Sequence, residues 1–417
     1  MSAAIQAPRG TLDVLGEDAA RREAVEAHAR RILSAAGYHR IETPAFESTE
    51  LFSRTVGETS DIVQKEMYTF TDAGGRSLTL RPEGTAPTCR AYLEHGMHKL
   101  PQPVKLWYVS TFFRAEAPQK GRYRQFWQVG AECIGSGQPE VDAELIVVLA
   151  ELLQAVGIRD TELHLSSLGT PETRAEYREE LIAFLRAHAD EVSDEVRARF
   201  EQNPLRAFDA KDSATIQTMQ HAPKLIERLT GEDAEHFASV QGLLDEVGLA
   251  YTVDPTLVRG LDYYTRTVFE FKSQALGAQS TVGAGGRYDG LIAQIGGPDT
   301  PGCGWASGVE RMLLSSGEIP VAAPVVDLYV AVAGDRAVPR AFRLACDARR
   351  AGLGVQLELS RRALRRQLTQ ADRLGARYVA IVGDSDPAAL REMASGEQAE
   401  LELAGVIPTI LRGSRLT

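Results

Sequence analysis

The residues best able to do chemistry are concentrated between Arg114 and Glu132, in the run RAEAPQKGRYRQFWQVGAE. Two strand-like segments flank APQKGR, whose Pro, Lys, Gly and Arg suit a cationic hairpin tip. In the second segment a period of two places Arg124, Phe126, Gln128 and Glu132 on one face and Trp127, Val129, Ala131 and Cys133 on the other. The latter set is apolar and buries. The former joins a ring able to stack on a base, a guanidinium able to fork onto phosphate, and an amide and a carboxylate able to read polar ligand groups. Arg114 and Glu116 likewise share a face of the first segment. A solvated sheet face with cross-strand ion pairs accounts for the same residue types, so this stretch alone leaves both readings open.

Four further stretches carry suggestive chemistry. In LVRGLDYYTRTVFE a loop before a strand aims Arg259 and Tyr264 into a cleft, or else packs a tyrosine pair under a surface Arg. The glycines of TVGAGGRYDGL suit close approach of backbone to a ligand. They do not form a dinucleotide fingerprint, which needs Gly where Tyr288 stands, and no GxxxxGK[ST] occurs, so neither a Rossmann site nor a P-loop is expected. In PGCGWASGVERML small residues permit a strand to pack closely on the helix from which Arg311 emerges, either toward phosphate or toward a neighbouring carboxylate. In LTLRPEGT, Glu83 follows a strand, where it can receive an ammonium group or remain a loop charge.

These residues need a framework. Residues 17–36 read as an amphipathic helix with Val25, Ile32 and Leu33 on one stripe and Gly37 as its stop. RIETPAFEST, RSLTLRP, VKLWYVSTFFRAEA and YRQFWQVGAECI read as strands without long helices between them, which favours an antiparallel sheet. From Thr170-Pro171, a good N-cap and N1 pair, to residue 248 the pattern is helical, and sheet-like sequence resumes at VFEFKS. Residues 315–327 read as a linker. Beyond them VDLYVAVAG, a helix from about Pro339 to Ala351, VQLELS, a helix over RRALRRQLTQADRLGA, and YVAIVGD predict a small βαβ domain with a largely parallel sheet.

The chain has 417 residues, enough for two or three domains, and no apolar run approaches the length of a membrane span. Its N-terminus lacks the apolar stretch of a signal peptide, so a cytoplasmic location is expected. Four separated cysteines and no metal-ligand spacing among the eight histidines argue against a disulfide framework or a structural zinc. The net charge of −11 is unevenly spread: from Asp327 onward there are 14 Arg, no Lys and 11 acidic residues, a net of +3, against −14 before it. A basic tail on an acidic body permits a polyanionic partner without requiring one.

Taken in order, PRGTLD, IETPAFESTELFSRTVGE, LTLRPEGT, FRAEAPQKGRYRQFWQVGAE, LVRGLDYYTRTVFE, AGGRYDGL and PGCGWASGVERML resemble the signature blocks of class II aminoacyl-tRNA synthetases, specifically the bacterial type of histidyl-tRNA synthetase, over nearly the whole chain. The resemblance implies an α+β fold: a class II catalytic domain (1–170 and 249–318) with an antiparallel sheet flanked by helices, a helical insertion (171–248), and a C-terminal α/β anticodon-binding domain (326–417). It implies a cytoplasmic homodimer formed through the IETPAFESTELFSRTVGE block, acting on histidine, ATP with Mg²⁺, and tRNA(His), with no membrane association and no resident metal.

Carried over by position, the resemblance gives Glu83 and Thr85 the histidine amino group, with Gln128 near the amino and carboxylate ends. Glu132 and Tyr264 would read the imidazole nitrogens beside Tyr263 and Tyr288. For ATP it puts Arg114 on the α-phosphate, Glu116 by the adenine amino group, Phe126 under the ring, and Arg122 and Arg311 at the β- and γ-phosphates. Arg259 would sit opposite Arg114, between the histidine carboxylate and the α-phosphate, so that both arginines also contact histidine and Arg259, Arg114 and Gln128 form the catalytic set. Gln119, Lys120 and Arg122 would meet the tRNA acceptor end. Two positions depart from the family pattern: Ala117 replaces the usual Arg and Trp127 the usual His. Trp127 falls on the apolar face, where it can replace the lost ring, whereas Ala117 leaves the grip on the acceptor end to Lys120 and Arg122. A rival from another class is a catalytically silent synthetase paralogue serving as a regulatory subunit of ATP phosphoribosyltransferase. Such paralogues usually lack the tail domain and lose catalytic residues, whereas Glu83, Arg114, Arg259 and Arg311 are all in place here.

Overall fold

The computed structural model describes residues 4–57, 60, 62–277, 280–317, 319 and 326–413. Most of the expected linker at 315–327 lies outside the described residues. By internal contacts the chain divides into two compact units, Met1–Pro320 and Val321–Thr417.

In the first unit the order is α1 (Gly16–Ala35), β1 (His39–Arg40), β2 (Phe46–Ser48), α2 (Thr49–Val56), β3 (Tyr68–Thr71), β4 (Ser77–Leu80), α3 (Thr85–Glu94), β5 (Val104–Phe113), β6 (Gln125–Ile134), α4 (Pro139–Ala155) and β7 (Thr161–Ser167). Four helices follow, α5 (Pro171–Ala187), α6 (Asp194–Arg199), α7 (Ser213–Gln220) and α8 (Gly231–Glu246). The unit closes with β8 (Thr252–Val253), β9 (Thr265–Ser273), β10 (Thr281–Arg287), α9 (Leu291–Gln294), β11 (Gly302–Gly308) and α10 (Val309–Ser315).

Eight strands form one sheet in the order β1-β5-β6-β11-β10-β9-β7-β8, antiparallel except for the edge pairs β1/β5 and β7/β8. A separate small antiparallel sheet has the order β2-β4-β3. Alternation along β6 sends Val129, Ala131 and Cys133 into a core that also holds Val25 and Leu33 of α1, Leu145 and Leu149 of α4, Phe237, Val240 and Leu244 of α8, and Met312 of α10. The α1 helix carries Glu17 and Asp18 in its first turn, favourable at the positive end of the helix dipole, and ends before Gly37, whose φ of 83° is one that glycine adopts without strain. Over the opposite sheet face a second cluster joins Tyr92 of α3, Tyr177 and Leu181 of α5, and Tyr263, Tyr264 and Tyr288. The helices between 171 and 246 thus do not build a third core: α8 packs into the first cluster and α5 into the second. Thr170 caps α5 by accepting from the Thr173 amide, with Pro171 at the first helical position.

Two expected strands are shorter than their sequence patterns. RIETPAFEST contributes only β1 and β2, and β5 stops at Phe113 instead of running on to Ala117. There the Ala115 amide turns away from the hairpin partner and donates to the Glu66 carbonyl at 2.7 Å.

The second unit contains β12 (Leu328–Val332), α11 (Val338–Arg350), β13 (Val355–Leu357), α12 (Leu364–Arg373), β14 (Tyr378–Val382), β15 (Ala388–Glu392), β16 (Gln398–Leu401) and α13 (Leu403–Arg412). Its sheet order is β13-β12-β14-β15-β16. The first three strands are parallel, as expected; the antiparallel hairpin β15/β16 and α13 are additions. That hairpin escaped sequence reading because AALRE and QAEL are short and polar, lacking the β-branched run that marks a central strand. Among the described residues no helix is long and apolar enough to cross a membrane.

Candidate active site

The polar face of β6 forms part of the wall of a cavity of about 290 Å³, completed by the start of α3, the turn after β5, the loop before β9, and β10, β11 and the beginning of α10. Of the residues singled out above, Glu83, Thr85, Arg114, Glu116, Arg122, Phe126, Gln128, Arg259, Tyr263, Tyr264 and Arg311 line it.

At one end Glu83 precedes α3 and turns its carboxylate back onto that helix, accepting from the amides of Thr85 (2.8 Å) and Ala86 (3.0 Å). Burial raises its pKa, against the opposing pull of those amides and of Arg114. The Tyr263 hydroxyl donates to the same carboxylate at 3.4 Å. Burial also pushes Tyr264 up to about 12, with Arg259 pulling the other way. Gln128 Oε1 and Arg259 Nε are buried and have no hydrogen-bond partner among the described residues. Buried polar atoms left unmatched in this way cost about 1–3 kcal/mol each, so they suit a site whose partner is a ligand. Arg259 Nη1 lies 3.6 Å from Glu270.

Glu132 and Tyr288 lie beneath this end instead of lining it. Glu132 is fully buried and both its oxygens are engaged: Oε1 accepts from the Thr85 hydroxyl (2.8 Å) and more weakly from that of Tyr108 (3.3 Å), and Oε2 from that of Tyr288 (2.6 Å). Burial lifts its pKa from 4.5 to about 8. Tyr108, which the sequence offers only as a member of the VKLWYVSTFFRAEA strand, owes its place to two glycines. A Cβ on Gly84 or on Gly130 would lie 2.4 Å or 2.2 Å from its ring. Gly304, paired with Glu132 across β6/β11, likewise leaves room for that carboxylate, which a Cβ would meet at 1.8 Å. Several glycines of the motifs therefore admit protein side chains. Gly285 and Gly286 of β10 instead admit neighbouring main chain, crowded first by the Gly304 and Thr267 carbonyls and, at Gly286, by the Tyr264 ring, while Gly283 does face the cavity.

At the other end the Arg114 guanidinium stands 5.4 Å over the Phe126 ring, and Arg114 Nε donates to the Pro82 carbonyl at 3.0 Å. Glu116 pairs with Arg122 at 2.9 Å. Burial and the nearby Arg122 lower the Arg311 pKa, yet the guanidinium remains charged at neutral pH. Gln119 and Arg122 close the turn with two backbone hydrogen bonds of 3.1 and 2.9 Å. Ala117, Gln119 and Lys120 project outside the cavity as exposed residues. Arg124 is absorbed structurally, donating to the Glu116 carbonyl and more distantly to that of Arg9. Trp127 keeps to the apolar side, with the Arg22 guanidinium 5.7 Å from its ring centre. Tyr123, which also lines the cavity, carried no signal beyond its place in the turn.

One end of this cavity thus offers carboxylate, amide and phenol groups suited to a small zwitterion, and the other an aromatic ring among arginines suited to a nucleotide. A sequence model described as histidyl-tRNA synthetase matches residues 10–312, and one described as anticodon binding domain matches 327–412. The chain is 44% identical over 410 residues to a histidine–tRNA ligase of Halothermothrix orenii, covering 97% of this chain and 98% of the relative. An apo histidyl-tRNA synthetase structure from S. aureus has a TM-score of 0.82 at 35% identity, covering 98% of this chain and 100% of that one. A Bacillus halodurans structure described as an ATP phosphoribosyltransferase regulatory subunit/histidyl-tRNA synthetase has a TM-score of 0.66 at 20% identity over 92% of this chain and 99% of that one, a likeness of fold alone. A family match over most of the chain, close relatives along nearly its full length and the two-ended cavity converge: the chain belongs to the histidyl-tRNA synthetase family.

Proposed function

We propose that the chain is a histidine–tRNA ligase, activating L-histidine with ATP and transferring it to tRNA(His). The observation that carries this reading is the cavity itself, in which Glu83, Gln128 and Arg259 stand at one end and Arg114, Phe126, Arg122 and Arg311 at the other.

Histidine enters with its ammonium toward Glu83 and Thr85 and its carboxylate toward Gln128 and Arg259. Tyr263 and Tyr264 flank the imidazole. Glu132 acts from beneath, through Thr85 and Tyr288, because its oxygens are already taken by hydroxyls. A site that hydrogen-bonds its substrate rejects analogues lacking the matching groups by about 10⁴-fold, since they leave buried polar groups unpaired. The adenine stacks on Phe126 with Glu116 near its amino group, and the phosphates extend toward Arg114, Arg122 and Arg311.

A histidine carboxylate oxygen then attacks the α-phosphorus as the bond to the bridging oxygen breaks, giving histidyl-adenylate and pyrophosphate. Charge grows on the equatorial oxygens, where preorganised donors such as Arg114 and Arg259 are worth about 3–4 kcal/mol each. No protein nucleophile is required; positioning supplies much of the rate. The 3′-hydroxyl of the terminal adenosine of tRNA(His) next attacks the carbonyl carbon and AMP departs. Gln119, Lys120 and Arg122 are the proposed acceptor contacts, with residues 171–248 as a helical insertion and 326–417 as the anticodon-binding domain.

Mg²⁺ accompanies ATP. Among the described residues no group of three or more His, Cys, Asp or Glu is placed to hold a metal; Mg²⁺ bound with ATP is held mainly by substrate phosphates and water, and Glu116 and Glu310 are carboxylates that line the cavity. The homodimer draws support from Phe46 and Phe70, an exposed edge-to-face pair on the small sheet within and beside the IETPAFESTELFSRTVGE block. The reading places the enzyme in the cytoplasm, where tRNA charging serves protein synthesis.

Histidine-dependent exchange of pyrophosphate into ATP tests the reading. Purified protein should exchange label only with L-histidine; none at saturating histidine and Mg-ATP would sink it in favour of a silent paralogue.

A further inference from the structure

Residues 258–264 carry Arg259, Tyr263 and Tyr264, yet they lie in no strand or helix. Groups that must stay within a fraction of an ångström of a productive geometry then depend on anchors from other elements. Three elements supply them. Arg174 of α5, a half-buried side chain, donates to the Tyr264 carbonyl at 2.9 Å. The Asp262 amide makes a long contact of 3.4 Å with the Val56 carbonyl at the end of α2. The Asp262 carboxylate accepts from Asn203 Nδ2 at 3.3 Å and lies 3.8 Å from Arg206 Nη2.

Asp262 is exposed, but one side of its carboxylate is closely fitted. Gly57, with a φ of 94°, sits against it, and a Cβ there would fall 2.2 Å from Asp262 Oδ2. Arg206 Nη1 lies 3.6 Å from where a Cβ on Gly260, next to Arg259, would stand. Asn203 and Arg206 belong to the segment between α6 and α7, far in sequence from the loop that they hold.

We propose that Asp262 is a positioning residue for Arg259, latched by Asn203 and Arg206, so that the 171–248 helices set the geometry of the activation step. The inference rests on the ligase reading, and its argument is geometric: the latch fixes the main chain three residues from Arg259, and displacement of a positioned group by about 1 Å can cost about 10²-fold in rate. Asp262 itself does not line the cavity.

The test combines kinetics with hydrogen–deuterium exchange on the full chain. Asp262→Ala and Arg206→Ala should each lower kcat of histidine-dependent exchange about ten- to a hundredfold, with KM for ATP within about twofold. Arg206→Lys, which keeps the cation, should recover most of the loss. The double variant Arg206→Ala/Asp262→Ala should be no slower than the worse single, because each already breaks the Arg206–Asp262 pair that the two share. In the absence of ligand both alanine variants should raise deuterium uptake at 258–264 and leave β6 unchanged. Unchanged kcat in the single variants, multiplicative losses in the double, or unchanged uptake at 258–264 would each overturn the latch. An inactive wild type would count against the ligase reading instead, and loop uptake would still decide whether the latch exists.

Discussion

Glu132 offers the sharpest physical test, because its burial has a pH signature. The carboxyl is fully buried, accepts from three hydroxyls, and has a pKa lifted from 4.5 to about 8. A folded-state pKa above the unfolded one means that the native protein binds the proton more tightly. The associated stability is fully present below pH 4.5 and is lost as pH rises through 8. At ~1.4 kcal/mol per pH unit, raising the pH from 5.5 to 8.5 should remove roughly 3 kcal/mol of wild-type stability through this one group. Glu132→Gln is the matching perturbation. It is neutral at every pH and nearly isosteric, and Thr85, Tyr108 and Tyr288 can rotate their hydroxyls to suit it. Thermal melting of both proteins at pH 5.5 and 8.5, without ligand, gives the comparison. Relative to the variant, the wild type should lose several degrees of melting temperature between the two pH values; a gap that stays constant, or moves in favour of the wild type at pH 8.5, refutes the assignment of a neutral buried acid.

Other consequences follow from the same geometry. Arg259→His should reduce histidine-dependent exchange by about 10²-fold or more while histidine affinity, read by calorimetry, stays within tenfold; an unchanged exchange rate would show that the electrostatic role is misassigned. Gly304→Ala places a methyl 1.8 Å from the Glu132 carboxylate and 2.7 Å from the Ala131 carbonyl, so it should cost about 1–3 kcal/mol and raise KM for histidine more than KM for ATP, measurable by melting and by exchange kinetics. Arg287→Met strips the fully buried Asp142 of its bidentate partner, leaving His236 at 2.7 Å, and should destabilise by about 3–5 kcal/mol; a melting temperature within a degree of wild type would contradict that estimate.

The chemistry of β6 was legible because strand alternation is a local property. Phe126 and Gln128 do share the cavity face while Val129, Ala131 and Cys133 are buried behind it. Alternation assigns a face but no depth: Glu132 shares the nominal face of Phe126 and Gln128, yet it is fully buried and does not line the cavity. Arg124 lies on the same nominal side and is consumed by hydrogen bonds to the carbonyls of Glu116 and Arg9. Tyr108 was missed because nothing in VKLWYVSTFF marks one aromatic residue as polar in use. Its signal lay in Gly84 and Gly130, and those are intelligible only once β5, β6 and the start of α3 are side by side.

The sequence by itself determined most of the element types, the two-faced hairpin, the basic tail and the family, since each rests on periodicity, composition or ordered motifs that are properties of the chain. Tertiary structure alone decided which of those residues meet. The strand order β6-β11-β10-β9 brings Gly304 beside Glu132, and the helices after β7 reach back to hold the loop that carries Arg259. The reason is physical: burial, and with it the protonation state of Glu132 and the placement of Arg259, depends on neighbours distant in sequence, and a local pattern contains no term for them.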